Sequence, residues 1–157
     1  MIPELQGFVP MFRANHGLLH KSLEGLTEMQ AMEHAGSSNP ILWIAAHVVT
    51  VRCMIAQALG AKVEVPWGGQ FPRGGRVEDV KSWPTLAEVR AKWDEAHPAF
   101  MAALERLTSE QVHAKTALPG LSDDVLGVVA LGALHDAYHV GQLGAARRRF
   151  ALDRLVG

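Results

Sequence analysis

The chain has 157 residues and a formal net charge of −1 at pH 7, and it is 48% hydrophobic and 20% charged. This length predicts one domain over 1–157, with a core large enough to fold without disulfides. The near-neutral charge gives no reason to expect nucleic acid or an anionic membrane surface as a partner. A single cysteine, Cys53, excludes an internal disulfide and is typical of a reducing compartment, so we expect a cytoplasmic protein.

The first two predicted helices differ in how much of their surface is apolar. Apolar residues at helical spacing predict an amphipathic helix over 9–26. The second helix, ending at Leu59, is predicted to begin at Asn39-Pro40, a capping residue followed by proline at the first helical position. It has almost no polar face, so we expect other elements to cover most of it.

Two further helices follow a long connection, 61–84, which exceeds the usual helix–helix loop and is therefore expected to cross the end of the fold or cover a site. Thr85-Leu-Ala-Glu88 predicts a capping box that opens a third helix. Pro98 is expected to kink this helix. The fourth helix is predicted to be capped by Ser122. Four helical patterns without credible strand periodicity predict an all-α four-helix bundle.

The second and fourth helices are apolar enough to raise the question of a membrane span. Each carries polar residues near its middle, including His47 and Arg52 in one and Asp136 in the other. A charge at the bilayer centre costs about 2.5–3.5 kcal/mol even on the most permissive insertion scale. We therefore expect buried helices of a soluble protein and no membrane partner.

His135 and His139 are the most informative residues of the sequence. Four residues of α-helix turn through about 400°, so both imidazoles project from one face of the fourth helix. Two desolvated imidazoles must both find partners, which favours a metal ion held between them. His47, isolated in the second apolar helix, is the candidate third ligand. The alternative is that these are separate buried histidines, each hydrogen-bonded to a neighbour.

Other residues provide weaker candidates. His16 and His20 form a second pair with the same spacing, but their helix is amphipathic and one of them is expected at the water edge. Asp136 points about 100° away from His135 on the helix, so we predict an ion pair with Arg52 in place of metal ligation. A dinuclear carboxylate site is disfavoured because it needs two Glu-x-x-His motifs.

Two segments resemble the DinB/YfiT-like family of metalloenzymes. They are Asn-Pro-Ile-Leu-Trp-Ile-Ala-Ala-His-Val over 39–48 and Leu-His-Asp-Ala-Tyr-His-Val-Gly-Gln-Leu over 134–143. The resemblance implies a four-helix bundle in up-down-down-up order, which needs a long crossover after the second helix. It implies His47, His135 and His139 as the metal ligands and a homodimer as the assembly. Some members of the family look like thiol-dependent S-transferases or isomerases.

The histidine pattern and the resemblance together imply a metal-dependent enzyme with a mononuclear three-histidine site, acting on a small molecule as a thiol-dependent S-transferase or a hydrolase. Zn²⁺ or Ni²⁺ is the expected metal, and a low-molecular-weight thiol the possible co-substrate. Tyr138 and Gln142 lie within one helical turn of the ligands and are candidates for orienting substrate. Two alternatives stay open: a non-catalytic metal- or ligand-binding stress-response bundle, and a metal-free helical dimerisation protein.

Overall fold

All regular structure in the computed structural model, which describes residues 1–34 and 39–156, is helical apart from one isolated bridge between Lys115 and Asp124. The all-α prediction is confirmed for these residues. The helices are α1 (Phe8–Leu23), α2 (Glu28–Met32), α3 (Ile41–Ala58), α4 (Leu86–Arg106), α5 (Ser109–Val112) and α6 (Val125–Arg147).

The four long helices surround one apolar core. α1 packs against α6 and α4, and α3 packs against the same two helices. The largest apolar side chains at the centre are fully buried and come from α1, α3, α4 and α6 or the segments beside them: Trp93, Phe12, Phe71, Phe100, Leu19, Leu42, Leu104 and Leu143. Each long helix therefore contacts two others, which brings side chains of α3 and α6 face to face.

Helix α3 is apolar over most of its surface and lies largely inside the fold. It is the one helix of the described residues that is long and apolar enough to span a membrane, and 72% of it is buried within the protein. Its burial is that of a core helix. The consequence for function is that its two strongly polar side chains, His47 and Arg52, must find partners inside the protein.

The helix ends show where local sequence signals predicted a boundary correctly and where they did not. Thr85 and Glu88 form the predicted capping box, and α4 continues through Pro98. The prediction that Ser122 caps the fourth helix is wrong: the Asp124 carboxylate accepts the Gly127 N–H at 2.8 Å, and α6 begins one residue after Asp124. Helix α1 ends at Leu23, before the predicted boundary at residue 26. Helix α3, which is the predicted second helix, begins after Pro40 because the backbone of Pro40 is extended.

The long connection between α3 and α4 folds over α3. Short 3-10 turns at Pro66–Gly69 and Val77–Asp79 break it up, and Phe71 between them is fully buried. The Phe71 ring lies 6.3 Å from the Trp43 ring and 5.7 Å from the Trp67 ring, centroid to centroid. The connection thus forms an aromatic cover beside the first half of α3, as its length suggested.

Candidate metal centre

Three histidines from two helices meet at one point. His47 projects from α3, and His135 and His139 project from successive turns of α6. Their ring centroids are 5.0 Å apart for His47 and His135, 4.8 Å for His47 and His139, and 4.4 Å for His135 and His139. One ring nitrogen from each lies within 4.8 Å of the others. The structure thus brings the three predicted residues together.

The orientation of His47 is fixed by the loop that covers α3. Its Nδ1–H donates to the Phe71 carbonyl oxygen at 2.8 Å, because a carbonyl can only accept. The Trp43 ring stacks against the imidazole with centroids 5.1 Å apart. The side chain is buried, and this burial lowers the pKa of His47 below its usual value. The imidazole is therefore neutral, with the lone pair of Nε2 directed at His135.

His139 is held by a side chain of its own helix. Its Nδ1–H donates to Gln142 Oε1 at 2.7 Å, and the Gln142 amide nitrogen donates to the Tyr138 hydroxyl at 3.2 Å. Burial, followed by the nearby His135 ring, lowers the pKa of His139 to about 4. Tyr138 is 61% exposed. The two candidate substrate-orienting residues therefore connect a neutral histidine with the protein surface.

A buried ion pair lies directly beneath His135. Arg52 and Asp136 are 1% and 2% exposed, and their side chains form two hydrogen bonds, one of them from Nε at 3.0 Å. The predicted pairing of these residues is confirmed. Asp136 Oδ1 lies 3.6 Å from His135 Nδ1, beyond hydrogen-bonding distance. The Asp136 carboxylate thus faces the back of one imidazole while the other two histidines are fixed by Phe71 and Gln142.

Residues 11–143 match the model of the DinB superfamily, which is most of the chain. The chain belongs to the DinB superfamily. The crystal structure of a DinB-like protein from Bacillus cereus ATCC 10987 superposes with a TM-score of 0.72 at 20% sequence identity, covering 96% of this chain and 95% of that one. At this identity the likeness shows the shared fold. No functionally curated protein matches the sequence.

The donor set of this DinB-superfamily chain fits a divalent transition ion. The Nε2 atoms of His47 and His135 are 3.0 Å apart. Two ligands on bonds of about 2.0–2.1 Å in a tetrahedral site are separated by about 3.3 Å, so little adjustment is needed. His135 Nδ1 is buried without a hydrogen-bond partner among the described residues. If that atom carried the proton it would face Asp136, and His135 Nε2 would be free to coordinate.

Sequence reasoning singled out Gln142, but it missed the Phe71 carbonyl that orients His47 and the groups that lie beside the other histidine pair. No sequence pattern connects the Phe71 carbonyl with His47, because the loop between them sets the contact. His16 and His20 lie apart from the centre, beside Asp94 of α4. His97 of α4 is half-buried and stacks on His16 with centroids 4.1 Å apart. Neither Asp94 nor His97 carries a local signal of this arrangement.

Proposed function

We propose that this member of the DinB superfamily is a metal-dependent enzyme whose mononuclear site consists of His47, His135 and His139. The observation that carries the proposal is the convergence of three imidazoles, two of which have Nδ1 hydrogen-bonded to protein oxygens, so that Nε2 is the nitrogen left to coordinate. Neutral imidazoles with a fixed second nitrogen are the usual ligands of catalytic transition metals. The proposed reaction is thiol-dependent S-transfer, or hydrolysis, of a small molecule.

The chain's own residues set the chemistry of the site. The Phe71 carbonyl fixes the proton of His47 on Nδ1, and the Gln142 amide oxygen does the same for His139. Three neutral ligands leave the full positive charge of a divalent ion uncompensated and leave coordination positions for other molecules. A bound Zn²⁺ or Ni²⁺ supplies Lewis acidity that brings the pKa of water or a thiol toward neutrality.

The two candidate substrate-orienting residues suit a small molecule that enters from solvent. Tyr138 is exposed, and its ring centroid lies 5.1 Å from that of His139. Gln142 joins the Tyr138 hydroxyl to His139. We propose that Tyr138 orients the substrate and that Gln142 positions the His139 ring. Tyr138→Phe should then reduce turnover while leaving the metal content unchanged.

The experiment loads tag-free protein with Zn²⁺ or Ni²⁺ and offers it a panel of low-molecular-weight thiols with a chromogenic aryl halide. In this reaction the thiol loses its proton to solvent, its sulfur forms a C–S bond, the C–halogen bond breaks and halide leaves. We expect one or more thiols to give turnover that His139→Ala abolishes. His113→Ala is the matched control, because that histidine is exposed and belongs to neither histidine cluster. Absence of turnover across the panel, and in a parallel ester and amide hydrolysis screen, would contradict the enzymatic proposal.

A second candidate, a non-catalytic metal-binding bundle, is favoured by the placement of the ligands on two helices. An ion held by His47 of α3 and His135 and His139 of α6 would cross-link two core helices. In that case metal would raise the melting temperature, and no substrate would turn over. The same protein samples decide between the two functions.

Three further expectations accompany the proposal. We propose the up-down-down-up helix order, which is compatible with α1 and α3 each packing against both α4 and α6. We propose a homodimer, supported by exposed large apolar side chains of α6 such as Leu134, and light scattering tests it. We propose a cytoplasmic location, which cell fractionation tests.

A further inference from the structure

A second cluster of metal-ligating side chains lies between α1 and α4. His16 and His20 project from successive turns of α1, and both Nε2 atoms approach the same carboxylate oxygen of Asp94, at 3.3 and 2.8 Å. One donor atom from each residue lies within 4.8 Å of the other two. The His20 contact is a hydrogen bond. Ligands on bonds of about 2.0–2.2 Å are typically about 3 Å apart, so both histidine–carboxylate distances suit the coordination of one ion.

The neighbouring rings hold this cluster in place. The His16 imidazole lies nearly parallel to the rings of His97 and Trp93, with centroids 4.1 and 5.5 Å away. The Trp93 indole N–H also donates to the His16 carbonyl oxygen at 3.1 Å, which ties α4 to α1 at this level. The donors therefore sit on rigid elements.

We infer that His16, His20 and Asp94 form a second site for a divalent transition ion. Two imidazoles and one carboxylate are a known donor set for Zn²⁺, Co²⁺ and Fe²⁺, and they leave positions open to water. About half of the Asp94 side chain is exposed, so ions reach this site directly from solvent. An ion there would join α1 to α4, just as an ion held by His47, His135 and His139, the first centre, would join α3 to α6. The inference does not depend on the proposed function.

The test isolates the second site in the full-length, tag-free chain. The variant His135→Ala/His139→Ala disables the first centre, and Co²⁺ is titrated while its visible absorption is recorded. We expect one Co²⁺ per chain. Adding His20→Ala, which removes one of the three ligands, or Asp94→Asn, which removes the negative charge of another, should weaken binding at least about tenfold, since loss of an outer-shell partner alone costs about 10–100-fold. His113→Ala is the matched control and should leave the affinity unchanged.

The outcomes separate the two sites. Co²⁺ binding that is absent, or unchanged by both His20→Ala and Asp94→Asn, overturns the inference. If the double variant does not fold, the metal content of the otherwise wild-type chain is compared with that of His20→Ala, and one ion fewer in the variant is required. An ion bound by His16, His20 and Asp94 with none bound by the three-histidine centre would refute the proposed function alone. An ion bound only by the three-histidine centre would refute only this inference.

Discussion

Asp136→Asn removes the charge of one partner in the buried pair that joins α3 to α6. Arg52 would keep its guanidinium among the rings of Phe12, Trp93 and Phe100, whose centroids lie 4.9, 4.3 and 4.7 Å from its Cζ. No other carboxylate forms an ion pair with Arg52 among the described residues. The substitution therefore leaves a positive charge without a counterion in the core.

The expected loss follows from the depth of the pair. Breaking one partner of a fully buried ion pair costs about 3–5 kcal/mol. A domain of this size has a free energy of unfolding of about 8–15 kcal/mol, so the variant should still fold. With a urea m-value of about 2 kcal/mol/M, the midpoint should fall by about 1.5–2.5 M. Arg52→Met should also destabilise, because it strands the Asp136 carboxylate and loses the cation–ring contacts.

The assay is urea unfolding in the presence of a chelator, so that metal binding adds nothing to the stability. The double variant Arg52→Met/Asp136→Asn should lose at least about 2 kcal/mol less than the sum of the single losses, since neither stranded charge remains. Arg149→Met removes an exposed pair with Glu33 and should cost less than about 1 kcal/mol. Single losses below that control, or strict additivity, would refute the reasoning.

Three further predictions concern reactivity, packing and positioning. Burial raises the pKa of Cys53 to about 11, so its thiol should be inert toward Ellman's reagent at pH 8 and react with one equivalent only after unfolding; rapid reaction of the native protein would contradict this. Gly127→Ala should destabilise by about 1–3 kcal/mol because its Cβ would lie 2.4 Å from the Ser122 backbone. Gly141→Ala, whose Cβ would meet no described atom outside its own helix within 4 Å, should stabilise by about 0.5–1 kcal/mol. Melting temperatures that shift in the same direction for both variants would contradict this prediction. Gln142→Ala should weaken metal binding about 10–100-fold, whereas Gln142→Glu, which keeps an acceptor for the His139 ring, should have an affinity closer to that of the unaltered protein. If calorimetry finds the same metal affinity for Gln142→Ala and the unaltered protein, Gln142 does not position His139.

Local and periodic signals were sufficient for the four long helices, apart from some of their ends, and for the main histidine cluster; the short helices α2 and α5 were not predicted. Spacing places His135 and His139 on one face of α6, and the apolar surroundings of His47 require a partner inside the fold. The same logic paired Arg52 with Asp136, because each is an isolated charge in an apolar helix. These residues were predictable because burial leaves charged and polar groups few choices.

The missed groups depend on tertiary contacts that leave no mark on the local sequence. The Phe71 carbonyl reaches His47 through a loop, and any residue type there would supply the same oxygen. Asp94 lies on the polar face of an amphipathic helix, where a carboxylate that faces histidines looks like one that faces water. The cap of α6 was misplaced by two residues because Ser122, Asp123 and Asp124 are all capping residues.

Anomalous scattering from crystals of the metal-loaded, tag-free protein tests the central claim most directly. The account predicts a peak about 2.0–2.2 Å from a ring nitrogen of each of His47, His135 and His139. The peak should disappear in His139→Ala crystals while the helices stay in place. A folded, metal-soaked protein with no peak among these three rings, or with density on His16 and His20 alone, would contradict the claim.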